Sequence, residues 1–262
     1  MNGNHLDYER IIPPMLTFQS AGTSDVGLRR SNNEDAYLLA SEVGLYAVAD
    51  GMGGADAGEV ASDIFVKTAG EVFGQTPATH EDETSVRVQE VFRRANDRMI
   101  DYITMNSLVK GMGCTAELLT FTGDRYIVGH VGDSRTYLLR DGELRQITKD
   151  HSLVQQQVDQ GFITAADAKN HSMKNIVLRA LGTDPNLSLD LIRGRVLPLD
   201  IFLLCSDGLT DMVDDEVLRR ILCSQQALPD KAHQLIESAL TAGGRDNVTV
   251  VLCQAVQRTV VL

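Results

Sequence analysis

No stretch of this chain approaches the roughly 18 consecutive apolar residues that a membrane-spanning helix needs. Its first residues, Met1-Asn2-Gly3-Asn4-His5-Leu6-Asp7, have neither the basic start nor the apolar segment of a secretory leader. A soluble, cytoplasmic protein with no membrane partner is expected. Cysteine is sparse: Cys114, Cys205, Cys223 and Cys253 form no CxxC pair and lie mostly within apolar runs, which predicts buried free thiols and no disulfide framework. Basic residues are in the minority, 24 Lys and Arg against 36 Asp and Glu, for a net charge of −12. That balance argues against a surface that tracks a nucleic-acid backbone. Internal repeats, low-complexity segments and coiled-coil patterns are also missing, so a monomer is expected. What remains is a chain of 262 residues, 43% hydrophobic, long enough to bury a substantial core.

The stretch that organises it lies at residues 44–62. The apolar run Leu45-Tyr46-Ala47-Val48-Ala49 reads as a buried strand that delivers Asp50 into a turn of Gly51, Gly53 and Gly54. A single Asp-Gly is most simply a reverse turn. Here the arrangement recurs: residues 126–131 run into Gly132-Asp133, residues 201–206 run into Asp207-Gly208, and Asp246 precedes the strand-like Val248-Thr249-Val250-Val251-Leu252. In antiparallel sheets the end of one strand and the start of its neighbour share an edge, so the four carboxylates can meet at one rim. Like charges that close shift pKa values or force the site apart unless cations neutralise them. An oxygen-only donor set without His or Cys suits hard ions such as magnesium or manganese, not zinc.

Taken in order, residues 1–15 read as an N-terminal arm. Residues 16–21 and 36–40 read as strands joined by a polar loop. Residues 58–72 and 84–106 read as amphipathic helices, with the acidic Glu81-Asp82-Glu83 in a surface loop between them. Short strands follow at 115–122, 125–131, 135–140 and 144–148, with Asp141-Gly142 as a hairpin turn. Residues 150–185 break the β pattern with a helix at 153–160 and a capping box at Thr164-Ala165-Ala166-Asp167. Strands at 187–196, 201–205 and 247–255 and helices at 214–223 and 229–242 complete the chain. Without regular βαβ alternation this is α+β with antiparallel sheets.

Six segments occur in one order: residues 24–35 with Arg30 and Asn33-Glu34-Asp35, Ala49-Asp50-Gly51-Met52-Gly53-Gly54, Gly111-Met112-Gly113-Cys114-Thr115, Val131-Gly132-Asp133-Ser134-Arg135, Cys205-Ser206-Asp207-Gly208-Leu209 and Gly244-Arg245-Asp246-Asn247-Val248-Thr249. Any one is weak, but together they resemble the metal-dependent Ser/Thr protein phosphatases of the type 2C (PPM) class, bacterial branch. The resemblance implies a sandwich of two antiparallel β-sheets flanked by α-helix pairs, in a single catalytic domain over residues 16–256, with a mobile helical flap at about 150–185 and a tail at 257–262. It implies hydrolysis of phosphoserine and phosphothreonine monoesters in proteins by a metal-activated water, with two core Mn2+ or Mg2+ ions and a possible third.

By the same resemblance Asp50 bridges two ions, the Gly51 carbonyl ligates one, Asp207 and Asp246 hold the other, and Asp133 with Asp207 matches the site of a weaker third ion. Glu34 and Asp35 act behind these ligands, Asn247 orients the Asp246 loop, and Arg30 matches the phosphate-binding arginine. Taken alone, Arg30 reads as a surface salt bridge. Two positions depart from the pattern. Met52 stands where eukaryotic relatives carry a His able to protonate the leaving alkoxide, and Ala55 where many bacterial members carry His. His151 and His171 read as solvent-exposed flap residues. Expected partners are Ser/Thr-phosphorylated proteins, including a Ser/Thr kinase or its targets. Alternative readings are a partner-dedicated regulatory phosphatase, a catalytically weak phosphoprotein sensor, and a metal nuclease, the last opposed by the net acidity.

Overall fold

The computed structural model describes residues 16–53, 57–74, 80–106, 109 and 111–257. The expected arm at 1–15, Ala55 and all of the expected tail but Gln257 lie outside the described residues. Strands β1 (Leu16–Asp25), β10 (Val248–Gln257), β9 (Ile201–Cys205), β6 (Arg135–Arg140) and β7 (Glu143–Gln146) form one sheet in that order. A second sheet runs β2 (Asp35–Ala40), β3 (Leu45–Met52), β4 (Gly113–Thr122), β5 (Arg125–Val131) and β8 (Asp190–Arg195). Every pairing is antiparallel.

The sheets pack face to face, each with helices on its outer side, and the two-residue period of the strands decides which side chain goes where. On β3, Leu45, Ala47 and Ala49 face helices α1 (Ala57–Phe73) and α2 (Glu81–Met105), while Tyr46 and Val48 face the other sheet. On β9, Ile201, Leu203 and Cys205 face α6 (Asp215–Leu222) and α7 (Leu228–Thr241), whereas Phe202 and Leu204 point into the sandwich. Three apolar layers result. Each fully buried Leu or Phe in them contributes roughly 2 kcal/mol.

Most expected elements appear within two or three residues of their positions, and the Asp141-Gly142 hairpin takes the left-handed geometry that a tight turn needs, with φ of 52° and 80°. Four expectations are corrected. Asp50 is not in a turn: β3 continues through Met52, pairing Asp50, Gly51 and Met52 with Thr115, Cys114 and Gly113. Glu81, Asp82 and Glu83 form the first turn of α2, where acidic side chains complement the positive end of the helix dipole. Cys223 is exposed while the other three thiols are buried. His151 is buried. The flap segment holds α3 (Leu153–Asp159) and α4 (Ala165–Lys169), the latter opened by the expected Thr164/Asp167 capping box. Among the described residues no helix is long and apolar enough to cross a membrane.

Candidate active site

The layer between the sheets is apolar at one end and polar at the other, and the switch follows from strand alternation. Continuing the inward positions Tyr46 and Val48 of β3 by one more step gives Asp50; continuing Phe202 and Leu204 of β9 gives Ser206. Asp35 on β2 lies directly opposite Asp50, a like-charge pair that is destabilising in itself. The Ser206 hydroxyl donates to Asp35 Oδ2 at 2.7 Å and accepts from Thr249 N at 3.0 Å, and Thr249 and Ser24 hydroxyls are 2.7 Å apart. Asp35 Oδ1 is buried without a hydrogen-bond partner.

Asp207 opens the short helix α5 (Asp207–Thr210) directly after β9. Gly208 is needed there because a Cβ would stand 1.9 Å from Asn247 O. Asp246 and Asn247 lead into β10, and the loop at 25–34 clasps them. Leu28 N donates to Gly244 O at 2.7 Å, and a Cβ on Gly27, whose φ is +78°, would meet Asp246 O at 2.2 Å. Buried Asn247 completes the clasp: Oδ1 accepts from Glu34 N at 2.8 Å, and Nδ2 donates to Val26 O at 3.0 Å and Asn32 O at 2.9 Å. Gly51 and Gly58 meet back to back, where a Cβ on Gly58 would touch both the Gly51 carbonyl at 2.9 Å and the Glu34 carboxyl carbon at 2.7 Å.

Electrostatics bind these residues into one group. Burial, then the charges of Asp35, Asp207, Asp133 and Asp246, holds Asp50 well above the usual carboxylate range. Burial also pushes Asp35 up to about 7, Asp133 up to about 8 and Asp207 up to about 6, each with help from neighbouring aspartates. Such a donor set fits divalent cations, which would replace the protons that burial and mutual repulsion otherwise retain. Among the described residues no three His, Cys, Asp or Glu side chains form a ready-made cage, so each ion would be completed by water and by a carbonyl such as that of Gly51. Hard ions that keep part of their hydration shell are bound in this way.

Arg30 reaches the mouth of the group and forms an ion pair with Asp246, Nη2 to Oδ2 at 2.7 Å, with half its side chain exposed. The plain salt bridge and the site therefore coincide: the fork is parked on a candidate ligand. Met52 is partly buried at the end of β3, and the His171 side chain makes a local contact, accepting from Met173 N at 3.2 Å. Three features escaped the sequence reading. Lys174 in the flap pairs with Asp211 at 2.6 Å and lies close enough to Asp207 to favour its ionised form; nothing in its sequence context marked it. The Ser206–Thr249 hydroxyls were legible in principle, as polar residues at inward strand positions. Glu117 and His130 carried the clearest missed signal, a carboxylate and an imidazole inside otherwise apolar strands.

A family model for protein phosphatase 2C matches residues 27–241. The chain is 40% identical over 244 residues to the serine/threonine protein phosphatase PstP of Mycobacterium tuberculosis, covering 92% of this chain and 46% of that protein. It is 37% identical over 235 residues to the serine/threonine phosphatase stp of Listeria innocua, covering 88% and 93% respectively. The chain thus spans about half the length of the mycobacterial relative. A solved structure of the PstP catalytic domain in complex with two manganese ions matches with a TM-score of 0.84 at 40% identity, covering 92% of this chain and 100% of that one.

Proposed function

Because this chain belongs to the protein phosphatase 2C family, we propose that it hydrolyses phosphoserine and phosphothreonine monoesters in proteins, releasing the hydroxyl side chain and inorganic phosphate. The observation that supports this most directly is the set of mutually perturbed aspartates at the polar end of the sandwich, with Arg30 at its mouth. In this reading Asp50, the Gly51 carbonyl, Asp207 and Asp246 would hold two Mn2+ or Mg2+ ions, and Asp133 with Asp207 a third. Bound there, such ions supply an acidified water as nucleophile and neutralise the phosphoryl oxygens.

The remaining work falls to this chain's own side chains. Arg30 leaves Asp246 for the substrate and grips two phosphoryl oxygens with its planar fork. Glu34 and Asp35 stand behind the ligand carboxylates. Asp35 is held from below by Ser206, and Asn247 keeps the Asp246 loop in register with the Arg30 loop. Ser/Thr-phosphorylated proteins are the proposed substrates, including a Ser/Thr kinase or its targets, and a monomer acting in the cytoplasm is the proposed working form. Free Cys114, Cys205 and Cys253 accord with a reducing compartment.

Hydrolysis of p-nitrophenyl phosphate and of a phosphothreonine peptide, with and without manganese, tests the proposal. Activity that requires the metal and falls roughly a hundredfold or more in Asp207→Ala is expected. Metal-independent turnover, or a fully active Asp207→Ala, would sink it.

A further inference from the structure

Deeper between the sheets lies a second polar group that the proposed reaction does not use. Glu117 on β4 and His130 on β5 stand directly opposite one another, both fully buried. One Glu117 oxygen bonds His130 Nδ1 and the other accepts the Thr136 hydroxyl, while His130 Nε2 donates to the Lys149 carbonyl at 2.8 Å. Burial alone would depress the His130 pKa, but the Glu117 carboxylate lifts it. Buried charge among Leu, Val and Phe is tolerated only with such complete pairing.

His130 packs against His151, with ring centroids 4.5 Å apart, and His151 is a joint between two parts of the protein. Its backbone N donates to Gly132 O at 2.7 Å, and Gly132 N donates back to Nδ1 at 3.1 Å. An N–H can only donate, so Nδ1 accepts in this contact, while Nε2 lies 3.2 Å from both Asp190 Oδ2 and Arg179 Nη1. Arg179 braces Asp190 from the other oxygen, also at 3.2 Å. The His151 carbonyl accepts from Leu178 N at 2.7 Å, where the flap returns to the body, next to the Ser152–Val177 bridge and the Leu153 N to Ile176 O bond.

Gly132, the residue before Asp133, has no room to adjust. Its φ is +115° and a Cβ would stand 2.4 Å from Thr115 Cβ. The segment entering the flap is fastened to this turn and to the start of β6 that follows it: Thr148 Oγ1 accepts from Thr136 N at 3.0 Å, Asp150 takes a two-pronged bond from Arg135, and His151 holds Gly132.

We infer that His151 is a positioning residue: its Nδ1 holds the Gly132 N–H, its backbone N–H holds the Gly132 carbonyl of the Gly132–Asp133 peptide, and its own carbonyl ties this turn to the returning end of the flap, so Asp133 and the flap base are set as one unit. The role of Asp133 as an ion ligand belongs to the proposed function, so the experiment reads the two separately. Amide hydrogen exchange on the metal-free protein reports the joint, and a manganese titration without substrate reports the ligand. His151→Phe keeps the packing against His130 but removes the acceptor; His151→Asn puts an amide oxygen near the place of Nδ1.

In the Phe variant the Gly132 and Leu178 amides are expected to exchange roughly tenfold faster or more, and the weakest manganese-binding event to weaken roughly tenfold. The Asn variant restores both toward wild type. Unchanged Gly132 exchange in the Phe variant, or equal loss in the Phe and Asn variants, overturns the inference. Should the Phe variant not fold, the Asn variant decides alone: retained Gly132 protection supports the joint and lost protection refutes it. Asp133→Ala with an unaltered manganese isotherm would remove Asp133 from the ligand set while leaving the exchange result to stand for His151.

Discussion

Arg30 and Asn247 are both polar, both touch the Asp246 loop, and differ in what their removal does. Arg30 makes a half-exposed ion pair, and exposed pairs contribute at most about 1 kcal/mol. Arg30→Lys should therefore leave the denaturation midpoint within error while raising the KM for a phosphothreonine peptide about tenfold, because a lysine cannot reproduce the two-pronged grip. An unaltered KM would detach Arg30 from the substrate. Asn247 makes three side-chain bonds in a buried site, and each abandoned buried partner costs about 1–3 kcal/mol. Asn247→Ala should therefore lower unfolding free energy by roughly 3 kcal/mol, read by urea denaturation. The candidate acids were legible in sequence because Asp50, Asp133 and Asp207 each stand at the far end of an apolar strand beside a glycine, and Asp246 stands between Gly243-Gly244 and the start of one. Their interdependence was not: that Gly27 must lie on Asp246 O, or Gly208 of α5 on Asn247 O in the loop before β10, is a matter of contacts between residues far apart in the chain, which no local pattern encodes.

At the scale of elements, periodicity located the strands well because their two faces meet different apolar layers, and β5, β6 and β9 have the expected bounds. It failed where a tertiary contact extends an element. β3 runs through Asp50 and Gly51 because Gly58 of α1 leaves space for the strand to continue, and the acidic start of α2 resembled a loop only while its helix dipole was ignored. The flap illustrates the same limit. Its capping box was legible, but its anchorage was not. Fully buried Asn96 of α2 accepts from Gly182 N at 2.8 Å and donates to Asp184 O at 2.9 Å, fastening the far end of the segment to the helix layer. Asn96→Ala strands both backbone groups and should lower stability by about 3 kcal/mol in urea denaturation. A loss below about 0.5 kcal/mol, the range of ordinary surface changes, would show that the flap end is held by other contacts.

For the whole molecule, the coupled acids make stability a function of both pH and metal. Asp35, Asp50, Asp133 and Asp207 all have pKa values raised in the fold. The folded protein therefore binds more protons than the unfolded chain between about pH 4 and pH 8, so unfolding free energy falls as pH rises through that window. Glu117 and His130, also raised, act in the same direction. His151, lowered to about 4 by burial and then by His130, acts in the opposite direction between about 4 and its ordinary value, one group against several. Chelator-treated protein should thus lose about 5 °C or more in Tm between pH 5 and pH 8, since one pKa step is worth about 1.4 kcal/mol and a domain of this size shifts by a few degrees per kcal/mol. Manganese held by these carboxylates as proposed would bind the folded state and compete with the same protons, so 1 mM manganese should raise Tm more at pH 8 than at pH 5. Scanning calorimetry at the two pH values, with and without the ion, checks both signs. A metal-free Tm that stays level or climbs from pH 5 to pH 8 would mean that the carboxylates titrate independently, and an equal manganese gain at both pH values would mean that the ion binds somewhere other than this protonated cluster.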